Sequence, residues 1–284
     1  MYKVLEKKVL ADNLYEMTIS APDFARKAKA GHFLIIKVTE KGERIPLTVA
    51  DFDREKGTVT IVFTAIGVST ANIARLEPGD QVMDFTGPLG EESEIENFGT
   101  IVMVGGGVGI APVYPIAKAL KEAGNRVISI LGARTADLVM WQDRMAGVSD
   151  ELHIATDDGS LGKKGFVTDV LAELMDKETI DRVWAIGPVP MMKAVSNLTR
   201  DKIKTTVSMN PIMVDGTGMC GACRISVGGE TKFACVDGPE FDGHLVDFDL
   251  AVRRLAYYKN EEQTALEIMH HGKHEGGGCG CQSK

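Results

Sequence analysis

Four residues near the C-terminal end of this chain are spaced to hold iron. Asp215, Cys220, Cys223 and Cys235 stand in the pattern D-x4-C-x2-C-x11-C, with Gly216, Gly218 and Gly221 between them. Plant-type 2Fe-2S loops use C-x4-C-x2-C with a distant fourth cysteine, and glycines let such a loop bring its backbone close to the sulfides. Here an aspartate takes the first position; its carboxylate is a harder donor than thiolate and still ligates iron. A zinc knuckle is the competing reading of three clustered cysteines, and the spacing fits a cluster loop better than the usual zinc patterns. Cys279 and Cys281, in the tail HHGKHEGGGCGC, leave a rival open. One of them would supply the fourth cluster ligand, or the tail would bind a separate metal, although Gly-rich polar tails seldom preorganise a site.

A second motif has the chemistry of a dinucleotide loop. VGGGVGIAP, from Val104 to Pro112, joins an apolar run to a helical pattern. Residues without a Cβ let a diphosphate approach the backbone, and a following helix presents unpaired N–H groups and a positive dipole end. The Rossmann fingerprint is not matched, because its third glycine, counted from Gly105, would fall on Ile110. Arg134 also stands where an acidic residue would hold a ribose. On residues alone, a tight strand-to-helix turn without a ligand remains the alternative. A third segment, TAIGVSTANIA from Thr64, sets Gly67, Ser69 and Thr70 ahead of a helix, suited either to a diphosphate or to an ordinary turn with an N-cap at Ser69 or Thr70. No acid, base or nucleophile constellation is present, and three of the six histidines, His270, His271 and His274, sit in the tail.

Positioning these residues requires three kinds of structure. Leu14 to Ser20, Phe33 to Val38 and Thr58 to Phe63 are short, rich in β-branched or aromatic residues and separated by Gly, Pro and Asp, which predicts a small antiparallel barrel over residues 1–97. From Thr100 the texture changes to continuous apolar runs alternating with helical patterns, TIVMV, then Pro112 to Ala123, then RVISIL, repeated through VTDVLAELM, VWAI and Met191 to Thr199. That alternation predicts a doubly wound parallel sheet over 98–208. The cluster module follows at 209–247, and 248–284 reads as an amphipathic helix from Asp249 to His271 plus a flexible tail. The fold class is mixed β and α/β.

Composition is that of an ordinary globular chain of 284 residues, 44% hydrophobic and 25% charged, with no apolar run long enough for a membrane span. The N-terminus MYKVLEKKVL alternates apolar and charged residues and lacks a signal-peptide core, so the cytoplasm is the expected compartment. Five cysteines, three of them clustered, argue against a secreted disulfide framework, and a net charge of −8 argues against nucleic-acid binding.

In order along the chain, GGGVGIAP, LGART at Leu131 to Thr135, ATDDGSLGKKGFVTD at Ala155 to Asp169, IGPVPMM at Ile186 to Met192 and the cluster loop resemble the ferredoxin-NADP reductase superfamily. Among its electron-transfer subunits, the chain is most similar to the small-subunit family of the electron-bifurcating NADH-dependent ferredoxin:NADP oxidoreductases, also called sulfide dehydrogenase beta subunits. The dihydroorotate dehydrogenase electron-transfer subunits come next; those carry four cysteines, whereas the aspartate at the head of this loop is similar to the first family. The resemblance covers nearly all of residues 1–247.

The resemblance implies FAD on the barrel, a 2Fe-2S cluster, NAD(H) or NADP(H), and a larger partner subunit with flavin and 4Fe-4S clusters that connects to ferredoxin. It implies that a hydride passes between nicotinamide and flavin, and that single electrons then reach the cluster. The family's R-x-Y-S/T flavin segment maps imperfectly onto Arg44, Pro46, Leu47 and Thr48: Arg44 lies one residue early and Leu47 replaces the aromatic ring. Thr48 is placed near flavin nitrogen 5, and Thr64, Gly67, Ser69 and Thr70 join the flavin site. Gly106, Gly107, Val108 and Gly109 form the dinucleotide loop, with Gly187, Pro188 and Met191 facing the nicotinamide. Asp157 and Asp158 either orient ribose hydroxyls or form a solvated turn. Arg134 either holds a 2′-phosphate or pairs with Asp137; the dihydroorotate relatives keep a similar Arg with NAD, which favours NAD(H). The other functions weighed are the electron-transfer subunit of a dihydroorotate dehydrogenase and a non-catalytic electron carrier or regulatory subunit with a vestigial dinucleotide site. Apolar positions on the last helix, such as Leu255, Tyr258 and Leu266, are either docking positions or core.

Overall fold

The computed structural model describes residues 2–271; Cys279, Cys281 and His274, and with them the tail-ligand rival, lie outside it. The chain opens with β1 (Tyr2–Ala11), β2 (Leu14–Ser20), α1 (Pro22–Lys27), β3 (Phe33–Lys37), β4 (Ile45–Asp53), β5 (Thr58–Thr64), α2 (Val68–Ala74), β6 (Gln81–Val82) and β7 (Asp84–Leu89). Their antiparallel sheet runs β6-β1-β2-β5-β4-β3-β7, and its two edge strands are sequence neighbours, so the sheet curls nearly into a barrel. Alternation decides which side faces where. Leu34, Ile36 and Val49 fill the barrel interior, whereas Phe33, Ile35 and Ala50 point outward into cores shared with the rest of the chain.

The second unit contains β8 (Thr100–Gly106), α3 (Ile110–Glu122), β9 (Arg126–Ala133), α4 (Gln142–Ala146), β10 (Glu151–Thr156), β11 (Lys163–Lys164), α5 (Val167–Lys177), β12 (Arg182–Ile186), α6 (Val189–Thr199) and β13 (Lys204–Ser208). Its sheet order is β11-β10-β9-β8-β12-β13, all parallel. Burial on both faces accounts for the unbroken apolar run of β8. Chain order reverses between β8 and β12, and that crevice is where doubly wound sheets bind ligands.

The chain ends with β14 (Arg224–Val227), β15 (Glu230–Phe233), β16 (Glu240–Asp242), α7 (Phe248–Leu255) and α8 (Lys259–His271). β16 pairs antiparallel with β13, so this last segment adds an edge to the parallel sheet. The single helix expected from Asp249 to His271 is two helices. α7 buries Phe248 and Ala251 against the cluster side and α6, while α8 lies on α2 of the barrel. One straight helix could not satisfy both, and Arg254, donating to Ala222 O, anchors the corner. Among the described residues no helix is long and apolar enough to cross a membrane.

Where linker, β12 and β16 meet, the Glu240 carboxyl is enclosed, although the residue keeps some exposure. Ser93 Oγ donates to it at 2.6 Å and Trp184 Nε1 at 3.2 Å. Neither donor is a cation, and burial pushes the carboxyl above the ordinary range. A folded-state value above the unfolded one means that this group's stabilising contribution is complete below about pH 4.3 and is lost as pH rises through the folded value. Glu240→Gln is therefore expected to raise the melting temperature relative to the parent protein more at about pH 8 than at about pH 5, as thermal unfolding at the two pH values will show.

Candidate functional site

The glycine run of β8 ends at the crevice between β8 and β12. Gly107–Gly109 form a 3₁₀ turn that leads into α3, and the first N–H of that helix, that of Ile110, donates to Gly107 O and Val108 O. Gly107 has φ +55°, and a Cβ there would point into open space. Gly109 is different in kind: a Cβ would run into Ile186 O and stand 2.7 Å from Gly187 Cα. The absence of side chains thus lets the turn and the end of β12 touch backbone to backbone. Met191 closes the other side, 3.3 Å through Cε from where a Gly106 Cβ would be. Val108, 42% exposed, projects from the turn. Gly106, Gly107, Gly109, Gly187, Pro188 and Met191 are therefore neighbours in space.

The neighbouring strand ends supply polar groups. Asp157 and Asp158 donate backbone N–H to Ala133 O and Arg134 O, and Ala136 N donates to Ser160 Oγ at 2.8 Å. The Asp158 carboxylate turns back into this loop, where the Ser160 hydroxyl and N–H hold it below the usual carboxylate range. It serves the turn, so of the two ribose candidates only Asp157 is left with a carboxylate free of hydrogen bonds among the described residues. Arg134 is exposed, and no ion pair joins it to Asp137 among the described residues.

On the barrel, Thr48 and Pro46 oppose Phe33 and Ile35 across the β3–β4 ladder and share their outward face, while Leu47 packs toward the interior. Leu47 thus does not share the face of Thr48 and cannot stand in for an aromatic ring there. Arg44 donates to Asp84 Oδ2 at 3.1 Å and Thr86 Oγ1 at 3.3 Å, which turns it toward β7. After Thr64, Gly67 caps α2, with its N–H donating to Thr70 Oγ1 at 3.0 Å; the cap is Gly67, and not Ser69 or Thr70. Ser69 Oγ donates to Glu43 Oε2, tying this turn to the loop before β4. β4 packs under α3 and β5 reaches the Gly107–Gly109 turn, so the two candidate cofactor sites face each other across one seam.

That seam is held by residues no motif announces. Arg144 on α4 pairs with Asp51 of β4 and stacks 4.1 Å from the Trp141 ring and 4.7 Å from the Tyr114 ring. Trp141, in the left-handed region at φ +57°, donates Nε1 to Glu16 Oε2 of β2 at 2.8 Å.

The cluster residues fall into two pairs. Cys223 and Cys235 are buried with their sulfurs 3.3 Å apart, and burial with the neighbouring Cys223 pushes the Cys235 thiol up to about 12. Asp215 accepts from Thr217 N at 2.8 Å and Cys220 N at 2.7 Å, contacts that hold its carboxyl below the usual range, Thr217 foremost. Gly216, Gly218 and Gly221 all have positive φ, which lets the loop fold back on itself. Among the described residues no three His, Cys, Asp or Glu side chains converge on one point. The donor set, two buried thiols with a third thiol and a carboxylate on one glycine-rich loop, has the chemistry of a two-iron site.

Comparison with known proteins agrees with this geometry. Residues 103–197 match the oxidoreductase NAD-binding domain and residues 210–247 the iron-sulfur cluster binding domain of dihydroorotate dehydrogenase B. A dihydroorotate dehydrogenase B (NAD+) electron transfer subunit homolog of Thermotoga maritima is 48% identical over 266 residues, covering 93% of this chain and 94% of its own length. The dihydroorotate dehydrogenase B electron transfer subunit of Geobacillus thermodenitrificans is 36% identical over 247 residues, covering 84% of this chain and 94% of its own. A solved chain from the structure of an NADH-dependent reduced ferredoxin-NADP oxidoreductase, studied for flavin-based electron bifurcation, superposes with a TM-score of 0.91 at 46% identity, over 95% of this chain and 98% of that one.

Gly109→Ala is expected to weaken NADH binding at least tenfold, about 1.4 kcal/mol, because its methyl must displace the Ile186–Gly187 backbone. Titration of the variant and parent with NADH measures this, and equal affinities would dissociate the turn from the dinucleotide.

Proposed function

This chain belongs to the family of dihydroorotate dehydrogenase electron-transfer subunits and their homologues, within the ferredoxin-NADP reductase superfamily, and from that premise we propose its function. It passes electrons between NAD(H) and a larger partner subunit through FAD and a 2Fe-2S cluster, as part of an electron-bifurcating ferredoxin:NADP transhydrogenase. The observation that carries this reading is the seam itself: the glycine turn at the β8–β12 switch point meets β5, α3 packs on the adjoining Thr48 strand, and the cysteine loop packs on β3.

When bound, the nicotinamide, flavin and two-iron cluster supply hydride and one-electron chemistry. The protein's own residues position and insulate them. Gly106 to Gly109 let a diphosphate approach the backbone of the turn and the positive end of α3. Arg134 and Asp157 would meet the adenosine end, Val108 belongs to the diphosphate turn, and Met191 with Gly187 and Pro188 would face the nicotinamide. Thr48 offers a hydroxyl on the seam face of β4, with Pro46 beside it. Asp215, Cys220, Cys223 and Cys235 would hold the irons. The partner we infer is a larger flavin and 4Fe-4S subunit, in the cytoplasm.

A dihydroorotate dehydrogenase assembly is the second reading, favoured by the relatives that carry that name. Asp215 at the head of the loop and the near-complete superposition with the bifurcating enzyme's chain favour the first.

Purification with native associates is expected to yield flavin, two irons per chain and a 2Fe-2S EPR signal on addition of NADH, with a 4Fe-4S flavoprotein as the associate. A dihydroorotate-oxidising associate would select the second reading, and colourless zinc-containing protein would overturn both. In the same preparation Asp215→Cys should keep the cluster and shift its midpoint potential. An unchanged potential and spectrum would remove Asp215 from the ligand set.

A further inference from the structure

Phe33 holds one register position between two sites. On β3 it pairs with Thr48 of β4 on one side and with Leu89 of β7 on the other. Directly paired residues of antiparallel strands project to the same face, so Thr48, Phe33 and Leu89 form a row across the outside of the barrel sheet. Phe33 is 4% exposed and Ile35 fully buried, both in the core that also contains Cys223, Cys235 and Met213. The cluster loop is seated on this row. A Cβ on Gly216, next to Asp215, would lie 2.5 Å from Ile35 Cδ1 and 2.9 Å from Leu89 Cδ1. Gly90 is equally tight, since its Cβ would lie 2.9 Å from Phe33 Cε1. Gly216 and Gly90 thus leave no room for a Cβ, and the buried Phe33 stands in the row between Thr48 and Leu89, the residue on which the cluster loop is seated.

We propose that Phe33, backed by Ile35 and Leu89, is a positioning residue that sets the rate at which electrons cross from the flavin strand to the cluster. The inference rests on the functional reading above, with flavin at Thr48 and the cluster at Asp215 to Cys235. In each crossing one electron leaves reduced flavin and enters the oxidised cluster; no bond forms or breaks at Phe33, and its ring is neither oxidised nor reduced. Tunnelling falls steeply with distance and falls faster across a void than across packed atoms. Protein interiors keep such gaps filled at close to crystal density, and a truncated core side chain leaves a cavity that relaxation closes only in part.

The test uses the full chain with its native partner, mixed rapidly with NADH. Flavin bleaching reads the first phase and freeze-quench EPR of the 2Fe-2S signal the second. Phe33→Ala is expected to retain parental flavin and iron contents and an unchanged first phase, with the second phase slowed about tenfold. Phe33→Met, which refills most of the volume, should restore the second phase. An unchanged second phase in Phe33→Ala, or equal slowing of both phases, overturns the proposal. Should Phe33→Ala fail to accumulate as folded protein, Leu89→Ala opens the same row from β7 with the same expected split, and an unaffected second phase there overturns it equally. Absence of flavin or cluster from the parental protein would instead sink the functional reading, and it is seen before any variant is made.

Discussion

The outer face of β3 and β4 is the surface on which the rest of the molecule is built. Most small barrels leave one face of each strand to solvent. Here Ala50 lies in one core with α3, while Phe33 and Ile35 lie in another with the cluster module and the α5–α6 side of the parallel sheet. Two adjacent strands thus carry the positions proposed for the flavin and also hold both neighbouring units against them. The consequence is a fixed geometry between sites, because displacing either unit would expose apolar area worth about 25 cal/mol per Å2.

Small residues make the close approaches possible, and polar groups lock them. Gly109 against the Ile186–Gly187 backbone and Gly216 against Ile35 and Leu89 are contacts any Cβ would break. Arg144 with Asp51, and Trp141 with Glu16, then join α4 to β4 and β2 across the seam. The left-handed Trp141 is an unfavourable conformation for a bulky residue, and the surroundings over-determine it through the indole hydrogen bond and the stacked guanidinium.

Much of the architecture was legible because its physical causes are local. Continuous apolar runs announced a sheet covered on both faces, and short β-branched segments set between Gly, Pro and Asp announced the barrel. Spacing alone marked Asp215, Cys220, Cys223 and Cys235, because loop closure around two irons limits the separation of ligands along the chain. Other expectations failed where distant contacts decide. The stripe from Asp249 to His271 has a helical period throughout, yet it breaks at Ala256–Tyr258 because its two halves dock on different units. Leu266 reaches the barrel side, with Met269, while Leu255 and Tyr258 remain exposed. Asp158, open in the sequence between ribose ligand and turn, hydrogen-bonds within its own turn.

The sequence by itself determined the element types, the family resemblance and the identity of the iron-ligand candidates, since each follows from periodicity or from spacing within a short segment. Tertiary structure alone decided that Phe33 stands between Thr48 and Leu89, that Arg144 finds Asp51, and that the Glu240 carboxyl is enclosed with Ser93 and Trp184. Those relations join residues tens to more than a hundred positions apart. Strand register and the docking of one unit on another set them, and both are settled by the total apolar surface buried, which no local window of sequence contains.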